Sequence, residues 1–148
     1  MKKNMNKRSL IIGLTAAIAL APALWAIGPK LTPQQLREMA THVVTGKVDA
    51  IYERTEKKGD WEYTHYIAEI RISDSEKGEG IRKGDLLYVR YWQRGWRGDG
   101  PVPPSGMGYR GLPAEGDSIR VYLEREAPNR SALFKFKVVA EDGFEKLE

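Results

Sequence analysis

No cysteine occurs among the 148 residues of the chain. Disulfides, thiolate metal sites, cysteine nucleophiles and the attachment of haem or lipid through cysteine are therefore excluded. A small domain without covalent cross-links must be stabilised by its own hydrophobic core. We therefore expect a regular pattern of apolar residues.

Histidine is almost as scarce, since only His42 and His65 occur. They lie far apart in the sequence and have no spacing typical of metal ligands. Ser105 lies in a Pro-Pro-Ser-Gly segment that is unlike a nucleophile elbow, and no paired carboxylates stand out. The sequence predicts no catalytic residue, no metal site and no cofactor. A metal-binding protein or enzyme that uses the two histidines is kept as an alternative.

The chain also lacks an excess of charge outside its first eight residues. It has 24 basic and 20 acidic residues, and Lys2, Lys3, Lys7 and Arg8 account for the whole difference. The remainder is electrically balanced, so the global charge does not favour a nucleic-acid partner. Charge in this part must be judged patch by patch.

The first 26 residues have the parts of a bacterial secretory signal. A basic start is followed by an apolar run from Leu10 to Ala21 and then by small residues. Cleavage after Ala23 fits the usual small-residue pattern, and cleavage after Ala26 is a second option. We predict a periplasmic or secreted protein, which would contact the membrane only if the signal were retained as an anchor.

Residues 27–41 are predicted to form a linker and a short helix, because Thr32, Pro33 and Gln35 make a capping box with proline at the first helical position. Residues 42–148 form the predicted β domain. Apolar residues there alternate with polar ones in five segments. The predicted inward positions include Val44, Val48, Tyr66, Ile70, Leu87, Val89, Tyr91, Ile119, Val121, Leu123, Phe136 and Val138.

Other features of this region are turns and one long loop. Gly46 lies inside the first strand, where it predicts a bulge, and Asp142-Gly143 predicts a turn into a short sixth strand, 144–147. The segment 94–117 has seven glycines and four prolines and neither a helical nor a strand period. We predict a long loop there, of the kind that often carries function.

The order of these segments resembles the five-stranded OB-type barrels of secreted proteins, including the netrin-like domains of metalloproteinase inhibitors. The resemblance rests on the strands Val43–Val48, Lys83–Val89 and Glu115–Leu123 with their glycines. It implies a mainly β fold: a small antiparallel OB-like barrel of five or six strands with a short N-terminal helix. The inhibitors act through cysteine, so their activity is not implied. An immunoglobulin-like β-sandwich is the alternative fold.

The strongest candidate contact surface is rich in arginine and aromatic residues, and it extends over 90–111. Arginine binds carboxylate, sulfate or phosphate, and aromatic rings stack on sugars, bases or other arginines. Its members are Arg90, Trp92, Arg94, Trp96, Arg97, Tyr109 and Arg110.

Two interpretations of this cluster stay open. In the functional one, the protein is a non-catalytic binding module for an anionic ligand or another exported protein. In the structural one, Trp92 and Trp96 cover the barrel mouth and the arginines pair with Glu62, Glu69 or Glu124. A related alternative function is a structural accessory subunit of an envelope assembly.

Overall fold

The computed structural model describes residues 29–104, 106–127 and 134–148, and the predicted signal at residues 1–26 lies outside this part of the chain. Within it, one helix precedes six strands. They are α1 (Pro33–Met39), β1 (His42–Lys58), β2 (Trp61–Lys77), β3 (Leu86–Trp96), β4 (Ser118–Arg125), β5 (Phe136–Val138) and β6 (Phe144–Lys146).

All strand pairs are antiparallel, and the strands form one sheet in the order β3-β2-β1-β4-β5, with β6 also paired to β4. The predicted mainly β fold with a short helix is thereby confirmed. The sheet does not close, because β3 and β5 share no ladder in the described residues. The domain is therefore a curled open sheet. A single sheet also does not fit the two-sheet sandwich that was the alternative.

One hydrophobic core lies inside the curl. It contains Val89 from β3 and Val138 from β5, the two ends of the strand order, so the sheet bends far enough for both to reach the same interior. Val44, Ile70 and Val121 are fully buried in it. The predicted alternation of inward and outward residues is confirmed at these positions. The core stabilises the fold by removing this apolar surface from water.

The helix covers a second, smaller cluster on the other side of the sheet. Leu36 and Ala40 pack there against Val43 and Tyr122, which point away from the main core. The predicted capping box is present, with Thr32 accepting from the Gln35 amide and the Gln35 side chain accepting from the Thr32 amide. The short helix is stabilised by this cap and by its packing on the sheet.

Strand β1 bends at irregularities in its pairing with β2. The register shifts between Thr45 and Gly46 and again between Val48 and Ala50. Bulges increase the bend and twist of a strand. The bulge predicted at Gly46 is therefore observed.

Beyond Ile51 the hairpin of β1 and β2 continues past the core. Gly59, with a φ of 60°, and Asp60 form its two-residue turn. Strand β3 pairs with β2 along its entire length, from Leu86 to Trp96. The result is a three-stranded extension with one face that continues the interior and one outer face.

The glycine- and proline-rich loop is shorter than the predicted loop over 94–117. Strand β3 continues to Trp96, so the loop begins at Arg97. The loop then returns along the β3 edge, where the Arg94 amide donates to the Met107 carbonyl and the Tyr109 amide donates to the Trp92 carbonyl. Gly108 is required at this close approach, since it has a φ of +98° and an added Cβ would lie 2.4 Å from the Trp92 carbonyl oxygen.

No helix in the described ranges is both long enough and apolar enough to cross a membrane.

Candidate functional site

The register of β2 and β3 brings their aromatic residues and arginines together on the outer face. Trp61 lies opposite Trp96, Tyr63 opposite Arg94, and His65 opposite Trp92. Cross-strand partners share a face and their side chains are in reach of each other. We call the set the aromatic–arginine face, and its members are Trp61, Tyr63, His65, Arg90, Trp92, Arg94 and Trp96.

The rings of this face form a continuous series of contacts around Arg94. Its guanidinium carbon lies 4.2 Å from the Trp61 ring centre and 5.9 Å from that of Tyr63. Trp61 meets Trp96 edge to face with ring centres 5.0 Å apart, and Tyr63 lies 6.1 Å from Trp92. Cation–π contacts of this kind hold the planar guanidinium against the rings.

Two hydrogen bonds fix the orientation of Arg94. Its Nε donates to the Gly106 carbonyl at 2.8 Å, and one terminal nitrogen donates to the Tyr63 hydroxyl at 3.1 Å. No carboxylate in the described parts of the chain lies within ion-pair distance of Arg94, although several other arginines have one. The charge of Arg94 is therefore held in place by neutral groups.

Arg97 has the opposite environment, although it is only three residues away. Its terminal nitrogen lies 2.8 Å from the Glu62 carboxylate, and its amide donates to the Asp60 carbonyl. The hydrogen bond from Arg97 lowers the pKa of Glu62 below its ordinary value, so the pair stays ionised at neutral pH. Arg97 thus binds to the turn between β1 and β2 and does not join the aromatic–arginine face.

A depression of about 420 Å³ lies on the same face, nearer the core. Three cross-strand rows line it. The two outer rows are Tyr52, Ile67 and Arg90, and Arg54, His65 and Trp92; the row between them is Glu53, Tyr66 and Tyr91. Together they give the depression a mixture of apolar, aromatic and charged groups, and Trp92 joins it to the contacts around Arg94.

Arg90, unlike Arg94, lies beside a carboxylate. Its terminal nitrogen lies 3.3 Å from the Glu126 carboxylate, and its guanidinium carbon is 4.4 Å from the Phe134 ring centre. Arg90 therefore ties the outer face to the segments after β4 and before β5.

Comparison with known proteins identifies no relative. No protein-family model, curated protein or solved structure matches the chain. The resemblance to secreted OB-type barrels therefore stays a prediction. The role of the aromatic–arginine face is inferred from its own geometry.

The predicted contact residues divide into two groups in the structure. Arg90, Trp92, Arg94 and Trp96 occupy alternate positions of β3 and share the outer face. The other three predicted residues, Arg97, Tyr109 and Arg110, lie elsewhere.

Tyr109 and Arg110 both have structural surroundings. The Tyr109 ring packs 6.3 Å from Tyr91 and 6.4 Å from Phe144, and burial raises the pKa of its hydroxyl. The Arg110 Nε lies 2.9 Å from the buried carboxylate of Asp142, and a second nitrogen lies at the same distance from its other oxygen. This paired contact fixes the loop to the turn before β6.

The predicted contact residues did not include Trp61 and Tyr63, whose rings the Arg94 guanidinium contacts. Their alternation with Glu62 and Thr64 could have indicated a common face on β2. Their position opposite Trp96 and Arg94 required the register of two strands. That register depends on where each turn ends, and the pattern within one strand does not specify it.

The two histidines have ordinary polar partners. His42 is buried, and its ring nitrogens contact the Thr41 hydroxyl and the Glu79 carbonyl at 2.9 Å each. His65 is exposed and contacts Glu56 at 3.0 Å. In the described ranges, no three histidine or acidic side chains are grouped as metal ligands would be.

Proposed function

We propose that the protein is an exported, non-catalytic binding module that holds an anionic group on the aromatic–arginine face. The single observation that carries this proposal is the environment of Arg94. Its guanidinium is oriented by Trp61, Tyr63 and a backbone carbonyl, and no described carboxylate neutralises it. An oriented guanidinium can pair with a carboxylate, sulfate or phosphate without first breaking an internal ion pair.

The surroundings of Arg94 favour a ligand that has an apolar or planar part beside the anion. Trp92 and Tyr63 are half-buried next to the depression, whose lining is mostly apolar. Aromatic rings add contact area at little cost in conformational entropy, and they strengthen the electrostatics by excluding water. An acidic side chain of a partner protein and an acidic sugar both have this combination.

The depression and Arg94 together span several strands, so the face can accept a ligand longer than a single ion. Such a surface is typical of recognition, and its imidazole, His65, is already in contact with Glu56. The proposal therefore concerns binding alone.

The test compares Arg94→Ala with Arg97→Ala by titration of tryptophan fluorescence. Poly-L-glutamate and dextran sulfate serve as carboxylate and sulfate probes. Each variant removes one positive charge, but Arg97 is already paired with Glu62 and lies off the face. We expect Arg94→Ala to weaken binding of at least one probe by about tenfold to a hundredfold, the range for a hydrogen bond to a charged group. Arg97→Ala should change it little.

Arg94→Lys provides a further comparison, because lysine keeps the charge but cannot stack as a plane on Trp61. It should recover only part of the affinity. Equal weakening by Arg94→Ala and Arg97→Ala would show that the probes respond to net charge, and the proposed face would then be wrong.

A further inference from the structure

The outer half of β1 has an unpaired edge. Strand β4 pairs with β1 only from His42 to Lys47. The amide and carbonyl of Val48 then bond to Asp117 and Gly116, and the Ile51 amide bonds to the Glu115 side chain. From Tyr52 to Lys58 the only described strand beside β1 is β2. The edge therefore begins after Ile51 and ends at the Gly59-Asp60 turn.

The direction of the free backbone groups follows from these bonds. In an antiparallel strand, successive residues direct their amide and carbonyl to opposite sides. The backbone amide of Ile51 is directed away from β2, since it donates to the Glu115 carboxylate. Glu53, Thr55 and Lys57 therefore also present their amides and carbonyls to the open side. None of the three has a backbone partner on that side in the described residues.

The charges on this edge are self-complementary about its centre. Thr55 is the middle residue of the seven from Tyr52 to Lys58. If two copies pair antiparallel with Thr55 opposite Thr55, Glu53 of each copy lies opposite Lys57 of the other. Arg54 likewise lies opposite Glu56. Opposite charges at directly opposed positions stabilise a strand pair.

The neighbouring registers oppose like charges. A register centred on Arg54 places the Arg54 residues of the two copies opposite each other, and one centred on Glu56 does so with the two Glu56 carboxylates. Like charges at opposed positions destabilise strand pairs. Charged residues on an edge ordinarily prevent pairing, but here their order permits it in one register.

Glu53 and Lys57 also lack ion-pair partners within the described chain. A second copy would supply one to each of them. Glu56 differs, because it already contacts Lys58 at 2.9 Å and His65 at 3.0 Å within one chain. Its distance from Arg54 of the same chain is 3.9 Å, at the limit of an ion pair.

We propose that two copies of the chain associate through the Tyr52–Lys58 edge of β1, in antiparallel register about Thr55. A two-fold axis perpendicular to the sheet, midway between the two Thr55 residues, makes the contact isologous and closed. The two sheets become continuous, and both aromatic–arginine faces lie on the same side. The association does not require those faces, so it stands independently of the proposed function.

Sedimentation of the protein exported from cells that express the full chain tests this association. We expect a monomer–dimer equilibrium in which Lys57→Glu raises the dissociation constant about tenfold or more, because it replaces two opposed ion pairs by two repulsions. The double variant Glu53→Lys with Lys57→Glu exchanges the signs and should restore the dimer. Lys83→Glu makes the same change of net charge away from the edge and should behave as the wild type.

Hydrogen exchange locates the contact. The amides of Glu53, Thr55 and Lys57 should become protected as protein concentration rises, whereas those of Tyr52 and Arg54 are already bonded to β2 at all concentrations. A wild-type protein that stays monomeric at every concentration overturns the proposal. So does a dimer that Lys57→Glu leaves intact, or one that the double variant fails to restore.

Discussion

Arg94 and Arg97 show how neighbouring residues of the same type acquire different roles. They are three positions apart where β3 gives way to the loop, so their side chains leave the chain in different directions. One meets Trp61 and Tyr63, and the other meets Glu62. The position of the nearest carboxylate decides which guanidinium is left with an unneutralised charge.

Gly46 is required by the close contact of two backbones. A Cβ at this position would lie 2.5 Å from the Arg71 carbonyl oxygen and 2.8 Å from the Ile70 side chain. We expect Gly46→Ala to lower the free energy of unfolding by about 1–3 kcal/mol, since β1 and β2 must separate to accept the methyl group. Urea denaturation of the purified protein measures this change.

Gly95→Ala is the matched control for this prediction. Gly95 also lies in a strand, has no positive φ, and has open space where a Cβ would be added. Its substitution should leave the midpoint unchanged or raise it slightly. Equal losses in the two variants would contradict the steric explanation.

Between elements, a group of ion pairs joins the helix to three strands. Glu76 of β2 accepts from Arg37 of α1 and from Arg120 of β4, both at 2.8 Å. Arg120 also contacts Glu145 of β6 at 3.0 Å. Such a network fixes the position of α1 relative to the sheet more firmly than an isolated surface pair would.

This network predicts that the free energy of unfolding depends on pH in the acidic range. Partial burial would raise the pKa of Glu76, but the hydrogen bonds from Arg37 and Arg120 outweigh it and lower the pKa below the ordinary 4.5. The unfolded chain therefore binds the proton first as the pH falls. The contribution of Glu76 is present above about pH 4.5 and is lost as the pH falls through the lower pKa of the folded state.

Denaturation between neutral pH and pH 3 measures this contribution. Glu76→Gln should be less stable than the wild type at neutral pH and should lose less stability on acidification. Glu79→Gln changes an exposed carboxylate for which no described ion pair exists, and it should follow the wild-type curve. Parallel curves for the wild type and Glu76→Gln would refute the assignment.

For the molecule as a whole, the first prediction to test is export. We expect the protein in the periplasm or medium to have the mass of the chain without its first 23 or 26 residues. Leu14→Arg places a charge in the apolar run and should keep the full-length chain inside the cell, whereas Leu14→Ala should be exported. A full-length wild-type protein in the membrane fraction would instead indicate a retained anchor.

For the whole molecule, the sequence predicted the features of the sheet that depend on the pattern within a single strand. The alternation at Val44, Ile70 and Val121 specifies which side of each strand faces the core, because side chains alternate along any strand. The failure of the sheet to close was not predictable. Closure depends on whether β3 and β5 come within hydrogen-bonding distance of each other. That distance is set by the combined bend and twist of all the strands between them.

The candidate site was predictable only in part, for the same reason. The four outward residues of β3 were identified by their arginine and aromatic composition. Arg94 and Trp96 were assigned to the loop, so their common strand face was not predicted. Arg97, Tyr109 and Arg110 were grouped with them by proximity in sequence, but the end of β3 and the return of the loop direct them to Glu62, the core and Asp142.

By itself, the sequence determined the mainly β class, the capped helix, the balanced charge of residues 27–148 and the order of charges about Thr55. Each of these depends on residues close together in the chain. Tertiary structure alone decided which strands meet and, within the described residues, that Arg94 has no carboxylate at ion-pair distance and that the outer half of β1 has no second strand beside it. These outcomes depend on register and curvature, which arise only when distant segments pack against one another.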